Sequence, residues 1–315
     1  MKNTYYLGLD VGGTKVEGAV AELNLSDRSI KIFSKKKITA ITTNSVEDFI
    51  NALAQLINDL LSDAHIPLTS LRAIGIGLPG SLDPKTKIMM NGNTRYLIGY
   101  DVVNALKNKL DSDIPIFAEN DANLFVLAEA WAGVGIQYSK SCHVDFKDQV
   151  AIGITLGTGV GGGLISQGKI YTGAHGAGLE VGHISLNPDG HQCYCGQKGC
   201  AESYLSGTAL NKISNSKEIF SQALSGESQA NKILENYRTN FIHFLSILNN
   251  LFNPHYFVFG GGLSAQPLLF ENLIDDLQNN TFLPKEFCPE IFINQLGDSA
   301  GLFGAMIYAQ EILDS

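Results

Sequence analysis

With 315 residues the chain is long enough for one large domain or two ordinary ones, and 44% hydrophobic against 17% charged residues fits a soluble globular protein. A formal charge of −9, with no basic run denser than Lys35-Lys36-Lys37, argues against a nucleic-acid surface, and no run of apolar residues is long enough to cross a membrane. Glycine is the outlier: 33 of 315 residues exceeds the usual share of about 7%, and without a collagen-like period it points to tight turns and close backbone approach to a ligand.

In chain order, Tyr5 to Leu9 reads as a buried strand, starting too early to leave room for a signal peptide. It enters the turn Asp10-Val-Gly-Gly-Thr-Lys15, and strand character resumes from Val16 to Glu22 and again from Ile30 to Ile38, where the three lysines are expected on a solvated edge. Val46, Phe49, Ile50, Leu53, Leu56, Ile57 and Leu60 have helical spacing after a start at Asn44 or Ser45. Leu71 to Leu78 reads as a buried strand ending in Pro79-Gly80, and Asp101 to Leu110 as a helix. Ile114 to Ala118 reads as a strand delivering Glu119-Asn120-Asp121 to the start of a helix over Ala122 to Ala130.

After a polar stretch, 137 to 149, a strand at Val150 to Leu156 runs into Gly157-Thr158-Gly159-Val160-Gly161-Gly162-Gly163. Leu7-Gly-Leu-Asp-Val-Gly-Gly-Thr and Ile152-Gly-Ile-Thr-Leu-Gly-Thr-Gly match in pattern, which suggests a duplicated strand–turn–strand unit, one per lobe, facing a cleft. A long helix over about Ala230 to Phe252, a strand from His255 to Phe259, the turn Gly260-Gly261-Gly262 and a helix from about Ser299 to Leu313 complete the chain.

Three glycine turns therefore follow apolar strands: Gly12-Gly13, Gly157 to Gly163 and Gly260 to Gly262. Exposed backbone N–H groups in such turns make concavities for phosphate, although many strand-ending glycines only make hairpins. A Walker pattern is absent, as is a G-x-G-x-x-G opening a helix after the first strand, so a nucleoside triphosphate suits the three turns better than a dinucleotide. Asp10 either caps its turn or positions Mg²⁺ through water, and Lys15 is either a phosphate ligand or an exposed strand lysine. Asn120-Asp121 stands where a helix N-cap is wanted and equally where a carboxylate would accept a hydroxyl proton during phosphoryl transfer.

The densest chemistry lies between Glu180 and Glu202. Cys193, Cys195 and Cys200 with His183 form a Cys₃His set that suits a structural zinc ion, because four protein ligands leave no open position. His191 is the competing imidazole. Thiols directed at a metal point to the cytoplasm.

These segments together resemble the ROK family (repressors, unknown reading frames and kinases): Leu7-Gly-Leu-Asp-Val-Gly-Gly-Thr-Lys15, Ala118-Glu-Asn-Asp121-Ala-Asn, Leu156-Gly-Thr-Gly-Val-Gly-Gly-Gly, Glu180-x-Gly-His183, Cys193-x-Cys-Gly-x-x-Gly-Cys200-x-Glu202 and Gly260-Gly-Gly-Leu-Ser. The resemblance implies an α/β, actin-like (ribonuclease H-like) two-lobed fold with a duplicated core and an active-site cleft between the lobes. It implies a smaller lobe of 1–118 plus about 299–315, a larger lobe of 119–298, a cytoplasmic homodimer, and ATP- and Mg²⁺-dependent phosphorylation of a hexose with no nucleic-acid or membrane partner.

By position, Asp121 would take the proton of the sugar 6-hydroxyl, and Asn120, Glu180, His183 and Glu202 would bind the other hydroxyls, with Asn93 a further candidate. His183 would place one ring nitrogen on zinc and the other toward the sugar. Asp10, Gly12, Gly13, Thr14, Lys15, Gly157, Thr158, Gly159, Gly261 and Gly262 would line the ATP and Mg²⁺ side. The chain departs from the family in the stretch 137–149, which looks like an insertion, and in Ala177-Gly178-Leu179-Glu180, where the backbone before Glu180 is expected to differ.

Within the family, N-acetylglucosamine or glucose is the favoured sugar, with fructose or mannose next. A sugar-responsive repressor would need a DNA-binding segment, against which stand the six residues before Leu7 and the acidic composition; a zinc hydrolase is excluded by the filled coordination sphere, and a non-catalytic sugar-sensing regulator is the less favoured alternative, given Asp121 and the phosphate turns.

Overall fold

The computed structural model describes residues 5–13, 15–39, 41, 45–92 and 94–314, so the candidate ligands Thr14 and Asn93 lie outside the described residues. In chain order the elements are β1 (Tyr5–Val11), β2 (Lys15–Asn24), β3 (Ser29–Thr39), α1 (Val46–Ala64), β4 (Leu71–Leu78), α2 (Val102–Leu110), β5 (Ile116–Asn120), α3 (Asp121–Ala132) and α4 (Val134–Cys142). They continue with β6 (Ala151–Leu156), β7 (Val160–Ser166), β8 (Lys169–Ile170), α5 (Glu202–Leu205), α6 (Gly207–Asn211), α7 (Ser216–Leu224), α8 (Ser228–Phe252), β9 (Tyr256–Gly260), α9 (Leu273–Asn280), β10 (Glu290–Ile293) and α10 (Ala300–Asp314). The chain folds into two compact units, the first made of Met1–Tyr138, Ile170–Gly178 and Leu296–Ser315, the second of Ser139–Lys169 and Leu179–Gln295.

The first sheet has the order β3-β2-β1-β4-β5, with β1 antiparallel to β2 and parallel to β4. The second has the order β10-β9-β6-β7-β8, with β6 antiparallel to β7 and parallel to β9. Read in reverse, the second sheet reproduces the first strand for strand, β6 taking the place of β1. The core is thus duplicated in connectivity as well as in the matching strand–turn sequences.

Helix α1 starts and stops for local reasons. The Ser45 side chain accepts the Asp48 N–H at the start of α1, Glu47 and Asp48 complement the helix dipole, and His65 closes the helix in the left-handed region at φ +56. Six of the seven residues spaced for a helical face, from Phe49 to Leu60, are buried against the sheet with Leu7, Leu9, Ile74 and Ile76; Val46 is half-buried. Each such side chain contributes about 1.5–3 kcal/mol.

Because side chains alternate along a strand, Tyr6, Gly8 and Asp10 on β1 face away from α1. That face is built largely from small residues and is covered by α10, whose Leu302, Met306 and Ala309 pack on Tyr6, Ala19, Ala21 and Ala73. A Cβ on Gly75 of β4 would stand 1.8 Å from the Ala305 carbonyl oxygen, so the helix backbone lies directly on the strand.

The second unit buries Ile152, Ile154, Phe257 and Phe259 of its sheet against Phe241, Phe244 and Leu245 of α8. The polar stretch 137–149 is largely folded: most of it lies in the C-terminal part of α4 and in a short turn at Phe146–Asp148. Gln149, fully buried, donates to Ser139 Oγ at 2.8 Å and accepts from the Tyr256 hydroxyl at 2.8 Å. Lys36 pairs with Asp59 and Asp63, and Lys35 leaves the solvated edge to reach the buried Glu17 at 3.1 Å.

Candidate functional site

In the first unit, β5 ends at Asn120 and α3 begins at Asp121. Asn120 is the N-cap: its Oδ1 accepts the N–H groups of Ala122 and Asn123 at 3.0 and 3.3 Å, and its Nδ2 donates to the Gly80 carbonyl at 3.2 Å. Asp121 is left as the first helical residue, half-buried, where the positive end of the helix favours a carboxylate; its Oδ1 accepts its neighbour's N–H from Ala122 at 2.8 Å. Both residues of the pair thus accept the Ala122 N–H, and Asn120 accepts that of Asn123 as well.

Behind them sits Glu119, a buried carboxylate that in the sequence looks like no more than the end of a strand. Its Oε1 accepts the Asn120 N–H at 2.9 Å and the Asn123 Nδ2 at 3.0 Å, fixing both the strand end and the first turn of α3. A carboxylate one residue before a cap, at the buried end of a strand, is the signal that could have found it.

Asp10 lies near the end of β1 on the face covered by α10, paired across the sheet with Glu17 on β2 and Gly77 on β4. Burial, then the carboxylates of Asp121 and Glu17, push its pKa up to about 7. Such a site is short of positive charge and fits a divalent cation held near Asp10. Gly12 donates to the Lys15 carbonyl at 2.9 Å, closing the turn, and Gly13 is exposed at its tip. The Lys15 ammonium pairs with Asp298 at 2.9 Å instead of lying free. Of the loop 91–99, Asn91 accepts the Ser81 N–H at 2.8 Å.

In the second unit the turn between β6 and β7 is held from three sides. Gly157 accepts the Gly207 N–H at 2.7 Å, Thr158 accepts the Thr208 hydroxyl at 2.7 Å, and Val160 donates to Glu202 Oε2 at 3.0 Å. Gly261, at φ +83, stands against the end of β6: a Cβ there would meet the Leu156 carbonyl oxygen at 2.5 Å. Gly157, Thr158 and Gly159 are therefore gathered with Gly261 and the exposed Gly262 at one end of this sheet.

The zinc-type loop is a small knuckle. Bridges Ser185–Cys200 and Gln192–Lys198 pair its arms, and Gly196 and Gly199 turn it at φ +94 and +74. His183, Cys193, Cys195 and Cys200 converge so that one ligand atom from each lies within 4.8 Å of all the others. Cys193 Sγ is 3.7 Å from His183 Nδ1, and Cys195 Sγ is 3.6 Å from Cys200 Sγ. A zinc–sulfur bond of about 2.3 Å sets the edge of a tetrahedron near 3.7 Å, so the four atoms fit that ion. Burial and then the Cys195 and Cys193 sulfurs push Cys200 up to about 12. Burial also raises Cys195, but hydrogen bonds from the Gln197 backbone, Cys193 and Cys200 outweigh it and lower that thiol. A cation is what allows all three to be thiolates together. His191 is not in the cluster; its ring packs on Tyr204 at 5.1 Å.

With Nδ1 turned to the thiols, His183 presents Nε2 to the Tyr194 hydroxyl at 3.3 Å. A sugar hydroxyl reaching that nitrogen would compete with Tyr194, a residue that sequence reasoning did not single out. Glu180 is exposed beside it, at the start of a single helical turn over Val181–His183. The altered Ala-Gly-Leu-Glu run has a backbone signature: Leu179 lies at φ +62.

The ROK family model matches residues 6–312. The chain is 31% identical to the N-acetyl-D-glucosamine kinase of Pasteurella multocida, covering 95% of this chain and 97% of that protein. It is 28% identical to the glucokinase of Thermotoga maritima, with 97% of each covered. Among solved structures, a ROK family glucokinase from Streptomyces griseus in complex with glucose and AMPPNP superimposes with a TM-score of 0.74 at 28% identity, covering 98% of this chain and 99% of that one.

Proposed function

The chain belongs to the ROK family, with its actin-like two-lobed fold, and we propose that it transfers the γ-phosphoryl group of ATP to the 6-hydroxyl of a hexose or N-acetylhexosamine. N-acetylglucosamine and glucose are the favoured acceptors, in keeping with relatives named for each. The observation that carries the reading is Asp121: a half-buried carboxylate at the N-terminus of α3, the first helical residue after the N-cap Asn120.

In the reaction the sugar oxygen forms a bond to the γ-phosphorus, the bond from that phosphorus to the leaving ADP oxygen breaks, and the hydroxyl proton passes to Asp121. Asn120, Glu180, His183 and Glu202, with Asn93, hold the remaining hydroxyls. The turns at Gly12-Gly13, Gly157 to Gly159 and Gly261-Gly262, with Thr14 and Lys15, bind the ATP phosphates. Asp10 would hold Mg²⁺, which when bound would neutralise the phosphate charge. Zinc on His183, Cys193, Cys195 and Cys200 is structural: it braces the loop that presents Glu180, His183 and Glu202. We read the protein as a cytoplasmic homodimer.

The test is ATP turnover across glucose, N-acetylglucosamine, N-acetylmannosamine, mannose and fructose. Highest kcat/KM with N-acetylglucosamine or glucose supports the reading; fructose or mannose in that place moves the substrate within the family, and no turnover with any of them overturns it.

A further inference from the structure

Beneath α10 the sheet carries a run of side chains reduced to a methyl group or nothing, Gly8, Ala19, Ala21, Ala73 and Gly75, with Tyr6 the large exception among them. On β1 the row formed by Tyr6 and Gly8 ends in Asp10, which pairs with Gly77 of β4. Where α10 reaches that end it carries Gly301, second residue of the helix. A Cβ built on Gly301 would lie 3.0 Å from Cγ, Oδ1 and Oδ2 of Asp10 alike, and one built on Gly77 would lie 3.4 Å from Oδ1. The Asp10 carboxylate is therefore seated between two bare Cα positions, with the tighter contact on the helix side.

Glycine is a poor choice inside the first turn of a helix, where alanine costs less conformational entropy. Gly301 has no positive φ to justify it. What a side chain there would meet first outside its own helix is the three atoms of a carboxylate that is distant in sequence. We propose that Gly301 is a positioning residue: its missing side chain fixes where the Asp10 carboxylate sits, and any Cβ there moves the carboxylate away from the helix. The inference rests on the reading of Asp10 as the residue that places hydrated Mg²⁺ beside ATP.

A contact at 3.0 Å has to open by a few tenths of an ångström to become ordinary, and displacements approaching 1 Å at a reacting centre cost about a hundredfold in rate. Gly301→Ala is expected to lower kcat about tenfold, to raise the Mg²⁺ concentration giving half the maximal rate, and to leave the sugar KM unchanged. The thermal stabilisation given by Mg²⁺ and ADP, read as a rise in Tm, is expected to shrink as well. The Tm of the free variant is expected to equal or exceed that of the parent, because alanine is the better helix former.

Gly301→Ala in an Asp10→Asn background completes the test: if glycine acts through the carboxylate, the double variant is no slower than Asp10→Asn alone. Wild-type kcat and Mg²⁺ dependence in Gly301→Ala, with Asp10→Asn strongly impaired, overturns the inference and leaves the Asp10 reading standing. A loss that multiplies with that of Asp10→Asn, or one matched by a fall in Tm, assigns Gly301 to helix packing and also overturns it. Full activity of Asp10→Asn overturns the Asp10 reading and this inference with it.

Discussion

Glu202 Oε2 accepts the backbone N–H of Val160 at 3.0 Å, and Gly159 leaves the space for it, since a Cβ there would lie 2.5 Å from the same oxygen. The residue that closes the Cys₃His knuckle thereby fixes the turn between β6 and β7. Sequence reasoning assigned Glu202 to the sugar alone; one of its two oxygens is committed to the backbone of a glycine turn read as a phosphate site.

This double use predicts that Glu202→Ala raises the KM for ATP as well as for the sugar. Loss of a hydrogen bond to a charged group is worth about 1.5–3 kcal/mol, or roughly ten- to a hundredfold. Glu202→Gln keeps an acceptor for Val160 and is expected to leave the ATP KM within about threefold while the sugar KM still rises. Steady-state kinetics with each substrate varied in turn separates the two; an unchanged ATP KM in Glu202→Ala removes the coupling.

The convergence of His183, Cys193, Cys195 and Cys200 predicts about one zinc ion per chain. Cys195→Ser is expected to lose the metal, to lower Tm by about 10 °C, and to raise the sugar KM, because the loop carrying Glu180 and His183 loses its brace. Elemental analysis alongside thermal melting reads this out. A metal-free parent protein with full activity contradicts it.

Asp10 predicts a pH signature. Its folded pKa is raised to about 7 by burial and by Asp121 and Glu17, above the unfolded value of 3.8. The folded state therefore binds the extra proton between those values, and stability relative to Asp10→Asn falls as pH rises from about 4 to 7, then stays low. Without added Mg²⁺, Asp10→Asn is expected to be more stable than the parent by about 2–4 kcal/mol at pH 8 and nearly equal at pH 4, while phosphorylating sugar far more slowly but measurably. Denaturant unfolding of both proteins at several pH values measures it; equal stability at pH 8 refutes the raised Asp10 pKa.

Much of this was legible in the chain because the signals are local. Phe49 to Leu60 declare a helix by spacing, Ser45 and Asn120 are short polar residues at helix starts, and the three cysteines of the knuckle fall within one eight-residue stretch. What escaped depends on neighbours distant in sequence or on torsions. Glu119 looks like any strand residue until its carboxylate is seen folded back onto Asn120 and Asn123. Lys35 looks solvated until Glu17 lies 3.1 Å from it across the β2–β3 pair. Gly301 reads as a packing glycine in an apolar helix, and only the fold brings Asp10 against it. The polar run after α3 concealed the end of α4, since a nine-residue helix with three buried positions has little periodicity to display.

The central claim is that Asp121 is the proton acceptor of a sugar kinase, and Asp121→Asn tests it most directly. Asparagine preserves the size of the side chain and an oxygen for the Ala122 N–H, and removes only the basic carboxylate. With the preferred sugar and saturating Mg²⁺ and ATP, kcat is expected to fall by about 10²–10⁴ while the sugar dissociation constant, measured by calorimetry, stays within a few-fold of the parent's. Turnover near the parental rate contradicts the account.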